Sequence, residues 1–179
     1  MNVMKRLLVI TLFTSLAVLG CKKDNAPVAT NYYFNYKVRI SDKIDEPTII
    51  NGYYGKVRKY EGNFMPSPDT EARQPEVAEN ILLFFEARFE EEIAETEITK
   101  NGTTFFNLKA IEKKGIQPKV IVFPNDDGFY QIDTNGNEYI ALIRINAKHG
   151  YYNGGLQKFG GLNNELKEHE MRIDYNATF

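Results

Sequence analysis

The sequence predicts an α+β fold, a mostly antiparallel β-sheet carrying one long amphipathic helix, with an all-β sandwich or small barrel as the alternative. Three observations lead there. Two runs, 32–41 and 171–179, alternate apolar and polar residues with period 2, as half-buried strands do. Two strand-like runs bracket Thr134-Asn135-Gly136-Asn137, a hairpin signature. Val77, Ile81, Phe85, Phe89 and Ile93 recur at i+4 spacing between Pro75 and Asn101, with Glu and Ala abundant, which favours a helix.

The elements follow in chain order. In the first run Tyr32, Phe34, Tyr36, Val38 and Ile40 form the apolar face of a strand. Residues 48–60 make a second strand, with Gly52 and Gly55 marking a bend or bulge. Pro66, Pro68 and Pro75 place a loop over 61–76. Residues 75–100 are assigned to the long helix, although Leu83, Phe85, Ala87 and Phe89 also alternate with Phe84, Glu86, Arg88 and Glu90 as a strand would. Asn101-Gly102 is then a helix C-cap, or a hairpin turn if the segment is extended. Residues 103–114 divide between helix and strand, and Gly115 ends them. Lys119–Phe123 is a short buried strand, and Phe129–Asp133 and Glu138–Asn146 form the hairpin. Residues 147–163 are a Gly-rich loop, and a last alternating strand carries Met171, Ile173, Tyr175, Ala177 and Phe179. The count is at least six strands. The chain has 11 Tyr, 12 Phe and no Trp, a composition that suits strands.

The front of the chain is of another kind. Lys5 and Arg6 precede an apolar stretch, Leu7 to Leu19, which is too short for a spanning helix and the right size for a secretory signal. Val18-Leu19-Gly20-Cys21 then brings the single cysteine of the chain. This stretch resembles the lipobox of bacterial lipoproteins. The resemblance implies a signal peptide over 1–20 that is cut before Cys21, and acyl chains (palmitate among them) on Cys21. Residues 21–30 become a polar tether, and 31–179 a single globular β-rich domain. Lys22, standing where Asp would favour the inner membrane, implies the outer membrane. Lys22-Lys23-Asp24 half matches a surface-display tail, so the periplasmic face and the cell surface both stay open. The terminal strand ending in Phe179 also resembles the last strand of outer-membrane barrels, but charges on both faces of the other strands argue against one.

Removing residues 1–20, which carry two basic side chains and no acid, takes the 22 basic and 24 acidic residues to a balance near −4. That argues against nucleic acid as a partner, which needs a basic stripe. With one cysteine no disulfide forms within the chain, so stability comes from packing.

Chemistry-bearing motifs are sparse. Asp133-Thr134-Asn135-Gly136-Asn137 with Glu138 has the oxygens of a calcium loop but neither its spacing nor its distal Glu, and a turn accounts for it. Glu165 and His169, with His149 elsewhere, do not make a four-ligand zinc set, so no metal and no cofactor is expected. The run Glu90-Glu91-Glu92 with Glu95 and Glu97 suits a solvated helix face better than a catalytic pair. Neither Ser41 nor Ser67 has nucleophile-elbow glycines. What remains is Tyr53-Tyr54 and Tyr151-Tyr152, two ring pairs in Gly-bordered stretches, read as a binding surface shared at one end of the sheet. The functional expectation is a non-enzymatic binding or accessory subunit for an envelope protein or glycan. The alternative is a small hydrolase of envelope polymers, which a pocket gathering two carboxylates would favour.

Overall fold

A run that is apolar on both faces belongs in the middle of a sheet with a layer packed on each side. Leu82-Leu83-Phe84-Phe85 is such a run, and it decides this architecture. The structure, a computed structural model, describes residues 36–66, 73–100, 102–146, 151–152 and 156–179. All of them belong to one unit, Tyr33–Phe179. In order they form β1 (Tyr36–Arg39), β2 (Gly52–Asn63), β3 (Glu76–Val77), β4 (Leu82–Glu86), a 3₁₀ turn (Ala87–Phe89), α1 (Glu90–Ala94), β5 (Glu97–Lys100) and β6 (Thr103–Phe106). There follow α2 (Leu108–Lys113), β7 (Val120–Phe123), β8 (Phe129–Ile132), β9 (Tyr139–Asn146), β10 (Tyr151–Tyr152), β11 (Gln157–Phe159), β12 (Leu166–Glu168) and β13 (Met171–Thr178).

The fold is therefore β-rich with several sheets, and the long helix expected over 75–100 is not formed. Its residues are divided among β3, β4, the 3₁₀ turn, α1 and β5. The cause is burial on both sides. Leu82 and Phe84 enter a core with Val122 and Ile143. Leu83 and Phe85 enter a second core with Ile140, Leu142, Ile93 and Ile111. A helix presents one stripe to one core, whereas a central strand serves two. Each fully buried Phe contributes about 1.5–3 kcal/mol of transfer free energy, which outweighs the modest helix propensity of the Glu and Ala residues.

The first sheet runs β1-β7-β4-β9-β10, with β11 also on β9. β1 and β7 are parallel, and β4 is antiparallel to both β7 and β9. In the second sheet β2 is central. The register of β12 on β2 (Leu166↔Gly52) and that of β13 (Met171↔Val57) have the same offset, so the two lie end to end along one edge, parallel to β2. β8 and β3 line the other edge, antiparallel. The first core lies between the sheets, where Val57, Tyr130, Ile132, Met171 and Ile173 of the second meet Leu82, Phe84, Val122 and Ile143 of the first. The second core lies on the outer face of the first sheet, beneath α1, α2 and the β5–β6 hairpin.

A second correction concerns 129–133 and 138–146. Thr134-Asn135-Gly136-Asn137 does make an NG turn, with φ 46° and 74° at its centre and Asn137 N–H donating to the Thr134 carbonyl (2.8 Å). The strands it joins do not pair: β8 goes to β2 and β9 to β4, so the turn is a corner between sheets. All four β8 residues are buried, and Thr134, with no exposed surface, accepts the Leu162 N–H at 3.2 Å. These ties pull the entering strand away from the leaving one. Residues 103–114 carry both expected states, β6 and then α2, which Asn107 caps by accepting the Ala110 N–H and after which Gly115 (φ 75°) follows. Lys100 pairs with Thr103, so β5 and β6 pair as the hairpin alternative has them, with Asn101 outside the described residues. Among the described residues no helix is long and apolar enough to cross a membrane.

Candidate functional site

At one end of the first sheet β4 stops, β7 and β9 begin, and the 133–138 corner arrives. Glu86 and Tyr139 are register partners across β4 and β9. Ala87 N–H donates to the Glu138 carbonyl (3.1 Å), and Lys119 N–H to the Phe84 carbonyl (2.7 Å). These bonds lock β4 to β9 and to β7 beside Tyr139, and three adjoining clefts share that residue. One, of 630 Å³, is lined by Glu86, Arg88, Lys119, Asn137 and Glu138. A second, of 520 Å³, has Val38, Val120 and Ile132 as an apolar floor, with Lys119, Asp133 and Asn135 at its rim. A third, of 230 Å³, reaches Lys158, Phe159 and Gly160. The two larger fall in the range usual for small-ligand sites, about 300–1,000 Å³.

The polar groups here differ in their freedom. Glu86 Oε2 lies 2.6 Å from Arg88 Nη2, an ion pair lacking hydrogen-bond alignment, and that oxygen is shut off from solvent without a hydrogen bond. Glu90 is paired with Lys158 at 2.8 Å. Among the described residues no ion-pair partner meets Glu138 or the Lys119 ammonium, and no hydrogen-bond partner meets the Tyr139 hydroxyl. The Tyr139 ring is 7% exposed and stands edge-on to Phe84 at 6.3 Å. Burial first, then the Glu86 and Asp133 carboxylates, push its hydroxyl pKa upward, so at neutral pH it is a hydrogen-bond donor.

The tyrosine pairs lie elsewhere. Tyr53 and Tyr54, on β2, are half-buried against the inter-sheet core rather than turned outward. The Tyr53 ring meets Phe159 edge-on at 4.8 Å, and Tyr54 is 6.4 Å from Phe129. Tyr151 and Tyr152, on β10, are in register with Asn146 and Arg144 of β9, while Phe159, the partner of Tyr53, is opposite Tyr139 at the other end of that strand. The registers thus set the two pairs apart and do not bring them together. Cys21 and His149 lie outside the described residues.

His169 separates β12 from β13. It is 5.0 Å from the Phe159 ring, and its Nε2 is 3.1 Å from Gln157 Oε1. Its N–H donates to the Tyr54 carbonyl (2.8 Å), and its own carbonyl accepts from Tyr130 Oη (2.8 Å). That is the wiring of a structural joint. Among the described residues no group of three or more His, Cys, Asp or Glu is placed to hold a metal. Asp133 Oδ1 accepts the Asn135 N–H (2.9 Å) and so serves the turn. Glu91 and Glu92 are exposed in the first turn of α1.

Sequence reasoning missed Glu86, Lys119, Glu138 and Tyr139 as a set. The one trace in the chain is that Glu86, Lys119 and Glu138 each flank an apolar run. Only the pairing of β4 with β7 and β9 brings them to one place. Comparison of the chain with protein-family models, curated proteins and solved structures finds no match.

Proposed function

We propose that this protein is lipid-anchored in the bacterial cell envelope, held at the outer membrane through Cys21, and that its domain binds an envelope partner without catalysis. One observation carries the reading. The positive n-region, the apolar run, Gly20 and the lone Cys21 stand in the order that a lipoprotein signal requires. More than one acyl chain anchors far more firmly than a single chain, so a protein so modified works at a surface. The clefts around Tyr139 offer that surface a place to bind. Cys21→Ala is the test. The parent is expected in the outer-membrane fraction and the variant uncut or released. A variant that still fractionates with the outer membrane overturns the anchor.

A second reading is kept alive by one feature: Glu86 and Glu138 line the same 630 Å³ cleft. Hydrolysis of a glycosidic bond needs two carboxylates in distinct roles. Glu86 is engaged by Arg88, which leaves Glu138 as the one free to move a proton. Release of reducing ends from envelope polysaccharide, abolished by Glu138→Gln, would establish the hydrolase instead.

A further inference from the structure

We propose that the row of clefts around Tyr139 binds an uncharged oligosaccharide, an inference that rests on reading the domain as a non-catalytic binding module of the envelope. The 520 Å³ and 630 Å³ clefts share Lys119 and Tyr139, and the 630 Å³ and 230 Å³ clefts share Ala87, Glu138 and Tyr139. Successive clefts that share lining residues lie in a row, here called the trough, which suits a chain of similar units better than a single compact molecule.

A sugar ring carries hydroxyls on its rim and C–H groups on its faces. The trough supplies an acceptor in Glu138 and donors in Lys119 and the Tyr139 hydroxyl, none of them satisfied by the described residues. It supplies an apolar floor in Val38, Val120 and Ile132. Where a bound ligand takes these groups out of water, one with matching hydroxyls is favoured, because a ligand without them leaves the groups unpaired.

The Glu86–Arg88 and Glu90–Lys158 pairs neutralise themselves in place. Lys119 is then set against Glu138 and Asp133, so no positive excess remains to hold a phosphate, sulfate or uronate chain.

The experiment is titration calorimetry of the full-length protein in detergent micelles with cellohexaose, mannohexaose, chitohexaose and, as the acidic contrast, hexagalacturonic acid. At least one neutral hexamer is expected to bind with Kd below about 1 mM, and Glu138→Gln and Tyr139→Phe each to weaken it about tenfold or more at unchanged melting temperature. Lys109→Ala, exposed on α2, is expected to leave binding as it was. The proposal is overturned if no neutral hexamer binds, if the acidic one binds more tightly, or if both cleft variants bind like the parent. If glycan binding fails while localisation stays Cys21-dependent and a protein is captured through the same face, the binding-module reading stands and only the glycan falls. Cleavage of the bound hexamer would keep the site and overturn the non-catalytic reading.

Discussion

His169 holds three strands together. Its backbone ties β2 to β8 through Tyr54 and Tyr130, while its ring is edge-on to Phe159 of β11. A Cβ at Gly55 would stand 2.0 Å from its carbonyl oxygen, so only glycine lets β2 pass so close. Burial lowers the His169 pKa; Glu170 raises it less, and Arg172 adds a smaller lowering. The sign follows. A histidine whose folded pKa lies below its unfolded value takes up protons more readily unfolded, so acid favours unfolding. Stability is expected to fall as pH drops below about 6.5 and to level off once the lowered folded value is passed. Urea midpoints at several pH values between 5 and 7.5, for the parent and for His169→Gln, check this. His149 contributes equally to both proteins, so the difference isolates His169. A pH slope unchanged by the substitution would show that this ring does not control it.

At the scale of elements, β4 is the test of the fold. Phe84 and Phe85 are both fully buried, in different cores. Phe84→Ala and Phe85→Ala are each expected to cost about 3–5 kcal/mol in chemical denaturation. An amphipathic helix would suffer from only one of the two, so a near-neutral result at either position would contradict the two-sided strand. The same strand shows what local patterns leave out. The alternations of 36–40 and 171–178 were legible because each strand has one wetter face, and period 2 follows from that alone. Leu82–Phe85 was ambiguous because a strand buried on both faces loses its periodicity, and its neighbours β7 and β9 begin more than thirty residues later. The 133–138 segment is legible in the sequence as a turn, but not as a corner between sheets. Turn chemistry specifies four residues, while strand pairing is specified by partners such as β2 and β4 that lie far along the chain. The trough was invisible for the same reason, since Glu86, Lys119 and Glu138 look like ordinary solvated charges until the sheet assembles.

For the whole molecule, the distance along the chain from β2 to β12 and β13 bears on when folding takes place. β2 receives its parallel neighbours from residues 114 positions further on, Gly52 from Leu166 and Val57 from Met171, and 115 beyond a bulge after Ile173. Loop closure over such a separation is entropically costly, and topologies rich in long-range pairing fold on the slow side of the millisecond-to-second range. Until residues 166–178 have been made, one whole edge of β2 stays bare and the inter-sheet core lacks Met171 and Ile173. Deleting 166–179 is therefore expected to abolish the cooperative thermal transition seen for the intact chain, and a retained sharp melt would show that the edge is dispensable. A nascent chain of this topology emerges from the ribosome with its central strand unable to pair fully. Secretory translocation threads an unfolded polypeptide, so the export proposed from residues 1–20 would meet a chain whose central strand is not yet closed.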